Sequence, residues 1–514
     1  MAETITATQA NTRLLGAGEI ALIDLREPGP FSEGHPLFAV PCPFSLLETS
    51  IGALVPRLSC PVLLLDAGDG IAVEAASILA GMGYTDVAVI AAGAPGWAAA
   101  GLTLYKGVHV PSKTLGELAE LALHPRPLPP ERFAQWRDEG RRFLFFDTRP
   151  ASEHAEMTVP GAVCLPNGEL VHRIDSLPAG APIVLTCAGR TRGIVGATSL
   201  SLFDPDREVW WLEDGTQGWC LAGRDLVRDN AVAPLPGVDA EMTRNRAEAF
   251  MAEHALALIT AKALWAELGD PGRTTFVFDV RDSAEARADR IPCAKGAPLV
   301  TLVQATDRYI GPRRAQVVLV DDLGVRGALG AFWLRALGHD VAVCRIDAAL
   351  RSLPSREFPA PKLPFAPRIA AGTALQTVAE GKAMLLDLRG SSDHMAGTVA
   401  AAVWCHRAAL QVPPPGIAPL LIGDGTARAE LAAATLIARG RTDVQIVEGG
   451  LPALRTAGAQ IVPGQELDLD EAVDIISFAH GRHSGNADAS RLYLAWEKGL
   501  VAQLSAAERA QFLM

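Results

Sequence analysis

One short pattern occurs four times along the chain and limits the folds that are open to it. Each copy is an apolar run that ends in Asp-x-Arg, with the aspartates at Asp24, Asp147, Asp279 and Asp387. A helical pattern precedes each copy; a second apolar run, an Ala- and Leu-rich helical pattern and a third apolar run follow it. Strands that alternate with helices in this order favour an α/β domain with a mostly parallel sheet. The sequence therefore predicts four related α/β domains in tandem, each a mostly parallel sheet flanked by helices.

Proline- and charge-rich segments separate the four copies and set the predicted boundaries. A length of 514 residues fits this number of domains, since roughly 150 residues per domain is usual. The predicted domains are residues 1–109, 124–237, 244–358 and 363–462, followed by a helical C-terminal tail over residues 463–514.

Composition and charge exclude several classes of function. The net charge is −12 and the basic residues form no runs, so a nucleic-acid-binding surface is not expected. Aspartates interrupt the apolar runs well before the roughly 20 residues that a membrane span needs, so no membrane segment is expected. The N-terminus shows no secretory pattern, which predicts a cytoplasmic protein. Eight cysteines without a Cys-x-x-Cys pair predict thiols, not a disulfide scaffold.

The second apolar run of the second copy ends in a cysteine that two arginines follow. Residues 183–186 are predicted as a buried strand and residues 194–202 as a helix, so Cys187 lies in the turn between them. A free thiol has a pKa of about 8.5 and is mostly protonated at neutral pH. A helix N-terminus and the nearby Arg190 and Arg192 are expected to lower the pKa of Cys187 and so to favour its thiolate. The pattern therefore predicts a nucleophilic cysteine.

The backbone of this loop is predicted to form an anion-binding nest. Gly189 and Gly193 would allow the backbone N–H groups of residues 188–193 to curl inward, since glycine adopts any φ. Two arginines add bidentate donors for an anionic ligand. The candidate substrate-binding residues are Ala188, Gly189, Arg190, Thr191, Arg192 and Gly193.

The repeated motifs resemble those of the tandem rhodaneses, in particular multidomain bacterial members with a C-A-G-R-T-R loop. The resemblance rests on the Asp-x-Arg strand ends, on "GHP" at residues 34–36, on "VPGA" at residues 159–162, and on the closing turns that end at Trp97 and Trp219. It implies a sulfurtransferase in which Cys187 accepts sulfur as a persulfide, without a cofactor or a metal ion. The expected partners are a small sulfur donor and a thiol or cyanide acceptor, and a protein acceptor is also possible.

The other three domains lack a cysteine at the matching position. Alignment of the loops places Asp66, Asp321 and Gly423 where the second domain has Cys187. Because a carboxylate or a hydrogen atom cannot form a persulfide, these three domains are predicted to be inactive. Within the second domain, Asp147 and Arg149 are expected to support the site as an ion pair or as a brace for the loop.

The length of the loop bears on the substrate. Four residues separate Cys187 from Arg192, whereas the phosphatases and arsenate reductases of this fold resemble a C-x5-R ring, which is one residue longer. The shorter ring and its two arginines favour a thiosulfate-like donor over a tetrahedral oxyanion. A second function stays open, in which the chain relays or senses sulfur and docks a protein partner through its inactive domains. The sequence leaves the oligomeric state open.

The sequence predicts no catalytic role for the remaining cysteines. Four of them, Cys42, Cys164, Cys293 and Cys405, follow their Asp-x-Arg motifs at similar distances and are predicted to be buried strand residues. Cys220 follows Trp219 directly and lies either near the mouth of the site or in simple packing. His480 and His483 have no further metal ligands nearby in the sequence, so no metal site is predicted there.

Overall fold

The computed structural model describes residues 2–356, 358–359 and 363–514. The described chain forms two compact units, each assembled from separate segments. The first unit comprises Met1–Arg13, Ala21–Val108 and Phe358–Phe478, and the second comprises Leu14–Ile20, His109–Glu357 and Ala479–Met514. The first and fourth sequence copies thus share one unit, and the second and third copies share the other.

Each copy of the repeat builds one sheet of parallel strands, as the alternation of strands and helices predicts. In the first copy the strand order is Glu3–Ile5, Val87–Ile90, Val62–Leu65, Ile20–Asp24 and Ala39–Pro41. In the second it is Arg126–Leu128, Val209–Leu212, Ile183–Thr186, Leu144–Asp147 and Val163–Cys164. In the third it is Ala257–Ile259, Asp340–Arg345, Gln316–Asp321, Thr275–Asp279 and Lys295–Gly296. In the fourth it is Arg368–Ile369, Gln445–Val447, Ala418–Ile422, Ala383–Asp387 and Ala402–Trp404.

Helices flank these sheets. Those of the first unit are Ala7–Leu15, Pro28–Glu33, Leu47–Leu54, Ile71–Gly81, Gly93–Ala99, Ala371–Ala379, Ser391–Ala396, Arg428–Ala438 and Gly450–Thr456. Those of the second unit are Val110–Leu123, Pro130–Asp138, Ala151–Glu156, Glu169–His172, Thr191–Phe203, Gly215–Leu221, Ala240–Glu253, Ala261–Leu268, Ser283–Ala288, Leu299–Gln304, Val325–Ala336, Ala348–Arg351, Ala487–Lys498, Leu500–Gln503 and Ala506–Arg509. None of the helices in the described ranges is long and apolar enough to cross a bilayer. The predicted α/β fold class is confirmed.

The strand that leads to Cys187 lies at the centre of its sheet. Ile183, Val184 and Leu185 are fully buried between the neighbouring strands Val209–Leu212 and Leu144–Asp147. The following helix, Thr191–Phe203, is buried along most of its length. Because both elements are held by packing on all sides, the loop between them starts and ends at fixed points.

Two connecting segments differ in detail from a simple reading of the sequence. The predicted joint between the first and second copies contains a helix of 14 residues, Val110–Leu123. The predicted helical tail becomes helical only at Ala487, where the Asn486 side chain caps the helix by accepting from the Ala489 N–H. Gly481 and Gly485 both have positive φ values, which interrupt a helix before that point.

The cysteines predicted to be buried are buried. This holds for Cys42, Cys164, Cys293 and Cys405. Of the four, only Cys164 lies within a strand, Val163–Cys164, so the expectation of strand positions holds for that residue alone.

Candidate active site

Cys187 lies directly after the strand Ile183–Thr186 and shortly before the helix Thr191–Phe203, as predicted. Its side chain is 2% exposed. The Gly193 N–H donates to Sγ at 3.3 Å, and the thiol lies 3.2 Å from the Gly189 carbonyl oxygen. The first turn of the helix therefore directs a backbone donor at the sulfur, which suits a negative charge there.

The glycine that the loop needs most is not one of those predicted. Neither Gly189 nor Gly193 has a positive φ. Gly215 does, at φ +56°, and a Cβ atom there would lie 2.2 Å from the Cys187 carbonyl oxygen. The neighbouring Thr216 N–H donates to that oxygen at 2.8 Å. The closing turn before Trp219 thus packs directly against the backbone of the Cys187 loop. Position 215 requires glycine because a side chain there would clash with that backbone.

Arg190 is not the free cation that the sequence led us to expect. Its buried guanidinium donates to Glu117 at 2.8 and 3.0 Å, lies 3.4 Å from Asp214, and also pairs with Glu120. Although burial alone lowers the pKa of Arg190, these carboxylates raise it well above its ordinary value. Its charge is therefore satisfied within the second unit, which favours a role in holding the loop. Direct binding of a donor by Arg190 stays a prediction.

Arg192 is connected to the Asp-x-Arg turn through one carboxylate. It donates to Glu153 at 2.5 and 2.9 Å, and Glu153 lies 3.8 Å from Arg149. Arg149 in turn donates to Asp147 at 2.7 Å, and both side chains of that pair are almost completely buried. This series of ion pairs connects Asp147 and Arg149 to the Cys187 loop, as a supporting role for these two residues requires.

Asp147 is the centre of the buried network at the strand end. Thr158 Oγ1 donates to it at 2.7 Å, and His154 Nδ1 lies 3.2 Å from the same carboxylate. Burial alone raises the pKa of Asp147, but the contacts from His154 and Arg149 outweigh it and hold the pKa below its usual range. The carboxylate is therefore ionised throughout the neutral range.

Sequence reasoning missed the residues that distant helices contribute to the loop. Glu497, on the helix Ala487–Lys498, is 1% exposed and accepts from Thr191 Oγ1 at 2.5 Å. Lys113 Nζ lies 3.6 Å from the same carboxylate. Gln217 donates to the Ala188 carbonyl at 3.1 Å. No local motif signals the contacts of Glu497 and Lys113, because both residues lie far from Cys187 in the sequence.

The surroundings raise the pKa of the Cys187 thiol, contrary to the expectation of a lowered value. Burial is the largest cause, and the Glu497 carboxylate adds to it. Arg192 and the Gly193 N–H oppose this shift but do not overcome it. The expectation was wrong because Arg190 is neutralised by carboxylates and the sulfur is shielded from water.

These opposing charges predict two shifts of opposite sign in the pKa of Cys187. Arg192→Met is expected to raise it, because the arginine lowers the pKa in the wild type, and Glu497→Gln is expected to lower it, because the carboxylate raises it. The ultraviolet absorbance of the thiolate, taken as the difference from Cys187→Ser during a pH titration, reports both shifts. Asp488→Asn lies on the same helix as Glu497 and is largely exposed, so it serves as the matched control. Equal titration curves for Glu497→Gln and wild type would contradict the assignment.

The matching loops of other copies hold a carboxylate where this one holds sulfur. Asp66 accepts from the N–H groups of Gly68, Gly70 and Ala72 at 2.9 to 3.1 Å. Asp321 accepts from the Arg326 and Gly327 N–H groups at 2.9 and 3.2 Å. The side chain of each aspartate thus occupies its own nest. The inactivity of these domains stays a prediction.

One group among the described residues has the composition of a metal site. His172, Asp321 and Asp322 place potential ligand atoms within 4.8 Å of one another. The Arg326 guanidinium donates to both aspartates, at 3.0 and 2.7 Å. A cation already sits beside these carboxylates, so this group does not suit a metal ion.

Comparisons with known proteins identify the family. A model of the rhodanese-like domain matches residues 6–100 and 129–222. The crystal structure of thiosulfate sulfurtransferase from Pseudomonas aeruginosa is 32% identical, with a TM-score of 0.90, and the match covers 100% of this chain and 99% of that one. The HTH-type transcriptional regulator Rv0324 of Mycobacterium tuberculosis is 33% identical over 87 residues, which are 17% of this chain and 38% of the regulator. The uncharacterized protein YibN of Escherichia coli K12 is 29% identical over 97 residues, 19% of this chain and 68% of YibN. The chain belongs to the tandem rhodanese family of sulfurtransferases.

Proposed function

We propose that the protein transfers sulfane sulfur from an anionic, thiosulfate-like donor to a thiophilic acceptor through a persulfide on Cys187. One observation carries this proposal: Cys187 Sγ lies at the N-terminus of a buried helix and accepts the Gly193 N–H. The name of the Pseudomonas aeruginosa relative supports thiosulfate as the donor.

The chemistry needs two displacements at sulfur. The Cys187 thiolate attacks the outer sulfur of thiosulfate, the S–S bond breaks, and sulfite leaves with the electron pair. The acceptor then attacks the outer sulfur of the persulfide, and Cys187 leaves as a thiolate. The helix N-terminus and the Gly193 N–H stabilise the negative charge on sulfur in the Cys187 thiolate and in the persulfide.

Steady-state turnover tests this function. Purified protein with thiosulfate and cyanide is expected to form many equivalents of thiocyanate per chain. The alternative is a relay or sensing module, which the three domains with Asp66, Asp321 and Gly423 in place of the cysteine favour. A relay would load one sulfur atom per chain and form at most one equivalent of thiocyanate, because cyanide cleaves the persulfide but the free donor is not turned over, so the number of turnovers separates the two.

Cysteines introduced into the other loops are expected to react poorly. In a Cys187→Ser background, Asp321→Cys should form a little persulfide, because Arg326 and Gly327 occupy the positions of Arg192 and Gly193. Asp66→Cys should form none, because Asp69 is nearby and no arginine follows. Mass spectrometry of each variant after incubation with thiosulfate measures the added sulfur. Equal loading of native Cys187 and the Asp66→Cys variant would show that the arginine-bearing loop is not required.

A further inference from the structure

The loop that carries Cys187 is covered in this structure. Cys187 is 2% exposed, and Ala188, Gly189, Arg190 and Thr191 are buried as well. A sulfur donor has to bring its outer sulfur atom into contact with Cys187 Sγ. The elements that cover the loop lie between solvent and that atom, so the structure shows the site in a closed state.

Two helices of the second unit cover the loop, Val110–Leu123 and Ala487–Lys498. The second of these lies directly on Gly189, where a Cβ atom would be 3.2 Å from Glu497 Oε2 and 3.5 Å from Tyr493 Cε1. This helix follows the four copies of the repeat in the sequence. The repeat itself therefore does not supply this part of the cover.

The two covering helices differ in how they are packed. The helix Val110–Leu123 is buried along most of its length. The helix Ala487–Lys498 is buried on one face only, and Arg491 and Leu492 on its other face are exposed. The C-terminal helix can therefore leave the loop while the other helix stays in the core of the unit.

Polar contacts hold the C-terminal helix over the loop. Thr191 Oγ1 donates to Glu497 at 2.5 Å, and Lys113 Nζ lies 3.6 Å from the same carboxylate. Lys498 Nζ lies 2.9 Å from Asp214. Glu497 Oε2 accepts no hydrogen bond from the residues that the structure describes. Water replaces contacts of this kind at a small net cost in free energy, and it would also hydrate the unsatisfied oxygen.

The chain on either side of this helix suits a hinged movement. Before the helix, Gly481 and Gly485 have φ values of +77° and +92°. Glycine has the widest choice of backbone angles, so this segment absorbs a change of direction at low cost. After the helix, the Leu513 N–H donates to the Ala336 carbonyl and anchors the end of the chain.

We propose that the helix Ala487–Lys498 is a lid that closes over Cys187 in the resting protein and lifts from the loop to admit the sulfur donor. Its purpose in turnover rests on the function proposed above. Burial and the Glu497 carboxylate raise the pKa of Cys187 in the closed state. Lifting the lid removes both causes and favours the thiolate when the donor enters. The closed lid then shields the persulfide from water and from other nucleophiles.

A covalent bridge between the lid and the closing turn tests this movement. Lys498 Nζ lies 3.7 Å from Glu213 Oε1, so a short bismaleimide can join the two cysteines of the variant Glu213→Cys, Lys498→Cys. A Cys220→Ser background removes the one exposed cysteine of the described chain. The matched control is the same variant with each new cysteine capped by N-ethylmaleimide. Both samples are used after peptide mapping shows that Cys187 is free.

Bridging is expected to slow the alkylation of Cys187 by iodoacetamide about tenfold or more relative to the capped control, as mapped by peptide mass spectrometry. Thiocyanate formation should fall by a similar factor. Equal alkylation rates in the two samples would overturn the lid. Slowed alkylation with unchanged turnover would also overturn it, because the donor would then reach Cys187 past a closed helix. Slowed alkylation in a protein that forms no thiocyanate even when capped would support the lid and refute the proposed function.

Reagents of two sizes separate a lid from a narrow channel. Iodoacetamidofluorescein carries the reactive group of iodoacetamide on a much larger body. In the wild-type protein, the ratio of the alkylation rate of Cys187 to that of Cys220 is expected to agree within about threefold for the two reagents, because an open lid admits either. A ratio that is more than about tenfold lower for the larger reagent would show a channel and overturn the lid.

Discussion

Cys187→Ser is expected to lower thiosulfate-to-cyanide turnover about a thousandfold or more while leaving the fold intact. An alcohol is not ionised near neutral pH and cannot hold sulfane sulfur as a persulfide. Serine is also close to cysteine in size, so the buried loop keeps its packing. Thiocyanate formation measures the loss, and circular dichroism with thermal melting verifies the fold.

The matched control for this variant is Cys220→Ser. Cys220 lies on the neighbouring helix and is exposed, whereas Cys187 is buried at the helix N-terminus. The control is expected to keep most of the turnover with cyanide. A Cys187→Ser protein that still formed thiocyanate at the wild-type rate would refute a single catalytic cysteine.

Asp147→Ala is expected to cause the largest loss of stability among substitutions near the site. It removes the carboxylate that pairs with Arg149 at 2.7 Å, where both side chains are at most 1% exposed. Removing one partner of a buried pair typically costs about 3–5 kcal/mol, because the other charge is left uncompensated. Urea unfolding measures the free energy. The control Asp488→Ala removes a carboxylate that is 95% exposed, and it should change the free energy of unfolding by no more than about 0.5 kcal/mol.

The pH dependence of stability gives the same test a second readout. The pKa of Asp147 is lower in the folded state than its usual value of 3.8. Its contribution to stability is therefore complete above that usual value and is lost as the pH falls through the lower, folded-state pKa. Asp147→Ala should lack this part of the acid sensitivity of the wild type. Identical slopes of stability against pH below pH 4 would contradict the assigned network.

The repeat and the loop could be predicted because their signals are local. Each Asp-x-Arg follows a strand, and each pairing of Asp with Arg closes within three residues, as Asp147 with Arg149 shows. The alternation of apolar runs with helical patterns was enough for the four parallel sheets. The strand, loop and helix around Cys187 follow from the same short-range pattern.

The electrostatics of the site could not be predicted because its charges come from distant segments. Arg190 looks like a free cation in the sequence, yet Glu117 from a helix in a predicted joint neutralises it. Glu497 comes from the C-terminal helix and reaches Thr191 next to it. Burial by these elements reverses the direction of the pKa shift expected for Cys187. Only the folded chain brings these groups together.

Mass spectrometry after incubation with thiosulfate tests the central claim most directly. The account predicts that the wild-type protein gains the mass of one sulfur atom, that peptide mapping places it on Cys187, and that cyanide removes it. Cys187→Ser should gain none. Sulfur found on Cys220 or another cysteine, with Cys187 unmodified, would contradict the account.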